Sequence, residues 1–198
     1  MSETQNLAYQ KIGAYSGIVA PIVAFVCILA AIASYPTFSW TNNALSDLGV
    51  VSGVTGALFN FGLVASGFLA FNFAIFGLFT YFGKSWVGKI GSVVFAGATL
   101  ALIAIGVFNE SYSPTHYLVS VTFFMLAPIS LFILTSAFWT CSQRRMAVFT
   151  VMVGFIAALP WLLFFAFNYV PNVAIPESVS GIAVSAWAIV VGRKMLKT

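Results

Sequence analysis

The stretch IGAYSGIVAPIVAFVCILAAIAS, residues 12–34, runs for 23 positions without a charged side chain. As an α-helix rising about 1.5 Å per residue it is about 34 Å long, enough to cross a hydrocarbon core about 30 Å thick. Further apolar runs of crossing length follow at 54–82, 88–108, 116–141, 147–169 and 176–193. The run 54–82 exceeds one untilted crossing, and because Asn72 alone is no break it reads as a single tilted helix. Composition agrees: 61% of the 198 residues are apolar and 6% charged, against roughly a quarter charged in a soluble domain. Six spans consume about 120 residues, which leaves no room for a separate soluble domain. The expected fold is all-α: one integral membrane domain over residues 1–198, a six-transmembrane-helix bundle arranged as three hairpins.

Charge decides which way such a bundle faces, because short loops carrying Lys and Arg stay on the cytoplasmic side. Lys11 precedes the first span, Lys84 and Lys89 flank the second loop, Arg144 and Arg145 fill the fourth, and Arg193, Lys194 and Lys197 close the chain. All eight cations fall on one face together with Glu3, whereas Asp47, Glu110, His116 and Glu177 fall on the other. The expectation is a multi-pass protein of the cell membrane with both termini cytoplasmic. Tyrosines favour the headgroup level; Tyr9, Tyr15 and Tyr81 map to the inner edge, and Tyr35, Tyr112, Tyr117 and Tyr169 to the outer. The net charge of +4 is then a consequence of topology, and no nucleic-acid partner is implied.

Ala31-Ile32-Ala33 has the form of a signal-peptide cleavage site, but the run exceeds an ordinary signal core and contains Pro21, so the segment is expected to be retained. Cys27 lies about 22 Å above the inner edge, too far from Cys141 for a disulfide, and both read as small core residues.

In lipid, helices associate largely through close approach at small residues. Ser178, Gly181, Ser185, Ala188 and Gly192 form such a stripe on the last span. Gly53, Gly56, Asn60 and Gly67 form one on the second, Ser92, Ala96, Thr99 and Gly106 one on the third, and Gly13 and Gly17 a short one on the first. All read as intramolecular packing. Pro21, Pro128 and Pro160 fall inside spans one, four and five, and Trp161 and Trp187 at mid-membrane depth read as core.

No ionisable residue falls near the centre of any span, which weighs against a proton relay, an ion-coupled carrier or a Schiff-base lysine. The lone His116 excludes a bis-histidine haem. What remains is a polar cluster on the outer loops, with Asn43, Ser46, Asp47, His116 and Glu177 as the candidate site and Glu110 as a rim charge. Asp47, His116 and Glu177 each stand near the start of a descending helix, so three hairpins bring them around one shallow pocket. One histidine and two carboxylates suit a divalent metal with open positions, or an acid and base for hydrolysis. The same positions also read as helix caps, at Ser46-Asp47, Ser113-Pro114 and Pro176-Glu177. No metal-protease, redox, nucleophile-elbow or phosphate-loop motif is present.

The segment Asn43-Ala44-Leu45-Ser46-Asp47-Leu48-Gly49 resembles the N-x-(I/L)-S-(D/E)-L-G signature of the prokaryotic membrane family catalogued as domain of unknown function 998. His116 and Ile175-Pro176-Glu177 resemble that family's other polar landmarks. Through the Ser-Asp pair the chain is also distantly similar to the Frag1/DRAM/Sfk1 membrane proteins. The resemblance implies a six-helix integral membrane protein and leaves activity open.

Three functions follow in order. The first is a non-enzymatic accessory subunit or lipid-organising component, with membrane lipids and other membrane subunits as partners and no required cofactor. The alternative is an extracytoplasmic site for a cation or headgroup, a divalent metal or bound lipid being its ligand, with hydrolase or transferase chemistry on Asp47, His116 and Glu177. A small-solute carrier comes third, since it needs a polar pathway through the centre and only Asn60, Asn72 and Thr99 are modest candidates for one.

Overall fold

The computed structural model describes residues 3–197. Six long helices account for most of them: α1 (Glu3–Ala33), α2 (Val54–Tyr81), α3 (Trp86–Val107), α4 (Thr115–Thr140), α5 (Arg144–Phe167) and α6 (Ala174–Met195). Each is long and apolar enough to cross a membrane, and no strand occurs among the described residues. Val26, Phe61, Leu162 and Phe165 are more than half exposed on the flanks of the bundle. Such a surface is stable against lipid and not against water. The chain is a multi-pass membrane protein.

Helix α1 begins well before residue 12, because the polar stretch 3–11 is made largely of good helix formers (Glu, Gln, Leu, Ala, Lys) and carries the helix past the apolar run. Helix α3 starts where the Ser85 hydroxyl accepts the Gly88 N–H, and α5 stops where Asn168 turns left-handed. Pro21, Pro128 and Pro160 sit inside α1, α4 and α5 without ending them. Helix α2 is indeed one element, but it is not uniform. Directly after Asn72 it widens into a π turn, Phe73–Leu78, before its final turn. There α1 crosses it backbone to backbone: a Cβ on Gly13 would collide with the main chain at Phe76 and Gly77, and one on Gly17 with the Phe73 ring.

Each helix packs against its neighbours in sequence, and α6 returns to α1, so the three hairpins close into a ring. One end carries all eight Lys and Arg side chains and is called the basic end; the other carries Asp47, Glu110 and Glu177 and is called the acidic end. The half toward the basic end is filled by Phe73, Phe95, Leu131, Leu134, Phe138 and Trp187 with their small neighbours. Trp187 is fully buried, meets Phe73 and Phe95 edge-on or tilted, and donates its indole N–H to the Thr150 hydroxyl at 3.0 Å. Trp161 is likewise a packing residue: it lies against Phe124 and donates to Ser180 Oγ at 3.0 Å. A second, smaller cluster, including Ala31, Leu48, Phe59, Leu63 and Ile105, lies under the acidic end.

Gly67 of α2 meets Ile103 and the Thr99 carbonyl of α3, and Gly106 of α3 meets the Asn60 carbonyl of α2, so those small residues do bring backbones together. The stripe on α6 needs correction. Gly192 is pressed against the Ala14 carbonyl and Ile18 of α1, but nothing stands within 4 Å of a Cβ built on Gly181. Gly181, Ser178, Ser185 and Ala188 instead line an internal cavity. Five small residues in register describe a face; whether a neighbour closes on it depends on the separation of the helices. Cys27 and Cys141 are both free thiols, and the expectation that both are core residues fails: Cys27 is half-buried and Cys141 exposed.

Candidate functional site

The acidic end is built from three connections, residues 34–53, 108–114 and 168–173. The first is long enough to fold across the bundle, and Asn43 organises it. Its side-chain oxygen accepts the Ser39 N–H at 2.9 Å, its amide donates to Asp47 Oδ2 at 2.7 Å, and its carbonyl accepts the Ala174 N–H at 3.1 Å, docking the start of α6. Asp47 Oδ2 also accepts the Ala44 N–H at 3.0 Å. Asp47 therefore closes its own loop backwards and does not cap the short 3-10 turn Ser46–Val50 that contains it.

The other two groups also look across to neighbouring loops. Glu177 Oε2 accepts the Leu45 N–H at 2.6 Å, and Glu110 Oε1 accepts the Ser46 hydroxyl at 2.7 Å. Neither α4 nor α6 has a side-chain hydrogen bond at its N-cap, so the capping expected at Ser113-Pro114 and Pro176-Glu177 is replaced by bonds between loops. Glu177 does occupy the first turn of α6, where the helix dipole favours an anion. The Gly49 carbonyl receives two amides, Asn60 at 2.9 Å and Asn109 at 3.2 Å. Asn60 Oδ1 is a buried oxygen without a partner. A Cβ on Gly49 would stand 2.6 Å from that oxygen, so the loop needs glycine there.

His116 is nearly buried at the head of α4. Its Nδ1 lies 2.7 Å from the Phe108 carbonyl, and because a carbonyl only accepts, that nitrogen carries a proton. Nε2 faces Ser120 Oγ at 3.4 Å and Glu110 Oε1 at 3.9 Å. Burial holds the Glu110 carboxyl above the ordinary carboxylate range. The Asp47 charge beside it pushes the same way, and the Ser46 hydroxyl and His116 oppose them.

All five residues expected at the site, Asn43, Ser46, Asp47, His116 and Glu177, lie in this cap. Asn43 and Glu177 tie the first connection to α6, Asp47 braces that connection from within, and His116 approaches it through Glu110, which holds Ser46. Glu110, expected as a rim charge, is thus the link across the cap. Its signal was an acid three residues from Ser113 in a loop otherwise without charge, which spacing alone could not connect to Ser46. Among the described residues no three His, Cys, Asp or Glu side chains stand together as ligands of one metal ion. Asp47, Glu110 and Glu177 each spend one oxygen on a protein donor, which suits a structural role better than acid–base turnover.

Beneath the cap lies a cavity of about 140 Å³ walled by α1, α2, α3, α4 and α6 and roofed by Leu45 and Ser46. Its walls are almost wholly apolar, and Glu177 is the only ionisable residue on them. From Glu177 to Ala188 the cavity follows α6 for about 16 Å. It is not fully enclosed. A groove of about 520 Å³ runs along the α1–α6 seam and shares Pro21, Phe25, Ile28, Leu45, Ser178 and Ser185 with the cavity. The two helices meet at Gly192 and Ala14 and part toward the acidic end. No spacing rule in the sequence locates this space, because five helices contribute to it.

A family model matches residues 18–194, from the middle of α1 to the last turn of α6. The chain belongs to the family described as protein of unknown function (DUF998). The match contains every cap residue just described and, Gly17 apart, the whole cavity wall of this DUF998 protein. No curated protein and no solved structure matches the chain.

Proposed function

We propose that this DUF998 protein is a non-enzymatic, lipid-organising membrane component that receives an apolar chain of a bilayer amphiphile in its central cavity. The observation that carries the reading is that the apolar cavity and the seam groove between α1 and α6 share six wall residues. A chain entering sideways never leaves an apolar environment, so entry needs no passage through water. An apolar cavity of about 150 Å³ in a protein interior accommodates a benzene-sized group, which sets the scale at one chain segment in width.

The placement of the eight cations supports a cytoplasmic basic end, and with it both termini in the cytoplasm, the acidic cap outside and the seam opening in the outer leaflet of the cell membrane. A headgroup site under the cap fits this reading, since Glu177 stands at the cavity's polar end. Native mass measurement of the full chain released from detergent tests the reading. A bound amphiphile retained by the wild type and lost from Gly181→Leu is expected. Equal retention by both, with Gly181→Leu folded, would show that the cavity is not where the chain sits.

A further inference from the structure

The proposed chain site has one polar end, and its chemistry discriminates among headgroups. Glu177 lines the cavity, and its Oε2 is held by the Leu45 N–H. Its other oxygen has no hydrogen-bond partner among the described residues. The Asp47 and Glu110 carboxyl groups are its acidic neighbours. Lys and Arg are absent from this end: all eight belong to the N-terminal part of α1, the α2–α3 and α4–α5 connections with the helix starts that follow them, and the C-terminus of α6.

Resting on the chain-binding reading, we propose that the occupant is an amphiphile whose head is a hydrogen-bond donor without negative charge, a hydroxyl or an amine, received by Glu177, and that anionic heads are rejected. An anionic oxygen at this position would meet the Glu177 carboxyl, with those of Asp47 and Glu110 behind it and no cation, where water is scarce and repulsion is poorly screened. A hydroxyl or ammonium there supplies the donor that the second Glu177 oxygen lacks. Rejection by uncompensated like charge is an effective source of selectivity, because the excluded head gains nothing elsewhere in an apolar wall. Phosphate heads, the commonest in a bilayer, fall in the excluded class.

Three probes with one tail and different heads test this: oleyl alcohol, oleylamine and oleate, each competing with tritiated oleyl alcohol for the purified full chain in detergent at about pH 9.5, alkaline enough to ionise carboxyl groups while an alkylamine head stays protonated. Oleyl alcohol and oleylamine are expected to displace the label, with oleate at least ten-fold weaker. Glu177→Gln keeps an acceptor for the Leu45 N–H and removes the charge. It is expected to weaken oleylamine at least ten-fold, to change oleyl alcohol less, and to narrow the gap to oleate. Oleate binding as well as oleyl alcohol to the wild type, or an unchanged ranking in Glu177→Gln, would overturn the head assignment while leaving the chain reading intact. Label retained in full by both Gly181→Leu and Ser185→Leu, each eluting as folded protein, would overturn the chain reading itself. Absence of saturable binding by any probe overturns both.

Discussion

The two halves of this bundle use the same six helices and solve the packing problem differently. Toward the basic end, small residues let α1 meet α2 at Gly13 and Gly77, and α6 meet α1 at Gly192 and Ala14, and aromatic side chains fill what remains around Trp187. Toward the acidic end α2 and α3 still meet at Gly106 and Asn60, but α1 and α6 stand apart, a cavity lies beside the smaller cluster, and hydrogen bonds between loops hold the helix ends in position. In lipid, apolar contact between helices has little advantage over contact with acyl chains. A half-bundle that leaves its interior open must therefore be braced by something else, and the polar cap is that brace. Six-helix composition alone does not imply a filled interior.

The sharpest way to break this contrast is to empty the filled half. Trp187→Ala removes a fully buried indole and orphans the Thr150 hydroxyl, and a loss of about 3–5 kcal/mol is expected. Thermal unfolding in detergent measures it; a loss no larger than that of an exposed-site control would show that the basic half is not close-packed. Next comes the brace. Asp47→Ala removes the acceptor of both the Asn43 amide and the Ala44 N–H, and a destabilisation of about 2 kcal/mol is expected. Faster proteolysis confined to residues 34–53 would locate the effect, and an unchanged loop would count against the brace.

A paired substitution on one helix sharpens the contrast further. Gly192→Ala places a Cβ 2.7 Å from the Ala14 carbonyl and should destabilise. Gly181→Ala meets open space and should stabilise by about 0.5–1 kcal/mol through helix propensity alone. Shifts in melting temperature of the same sign and size at both positions would erase the distinction between the halves.

The smallest expected effect is a pH dependence of the cap. Because burial raises the Glu110 pKa, the folded state binds its proton more tightly than the unfolded chain does. The stabilisation is complete below the ordinary carboxylate value of 4.5 and is lost as pH rises through the raised folded value. Melting temperature should therefore fall over that window more steeply in the wild type than in Glu110→Gln. Parallel profiles would remove Glu110 from the titration.

Residues 12–34, the segregated cations and the Asn43–Gly49 signature were each legible without a structure, and each rests on a property that a segment carries by itself. The cap was partly legible. Asn43, Ser46, Asp47, His116 and Glu177 are all in it, but their bonds run between loops and replace the helix caps that adjacent residues imitate. Glu110 shows the limit: nothing near it in the chain announces Ser46 as its partner, 64 positions away. The π turn after Asn72 was not legible either, since Phe73–Leu78 looks like any apolar helix and differs only in where α1 crosses it.

Class, helix number and charge segregation were thus determined by the sequence alone, because apolar length and loop charge are local and additive over a segment. Tertiary structure alone decided that Gly192 is a contact and Gly181 a cavity wall, although both belong to one stripe on one helix. The physical reason is that a cavity is a property of the distances between backbones, set where Gly13, Gly77 and Gly192 permit approach and where α1 and α6 part beside Gly181.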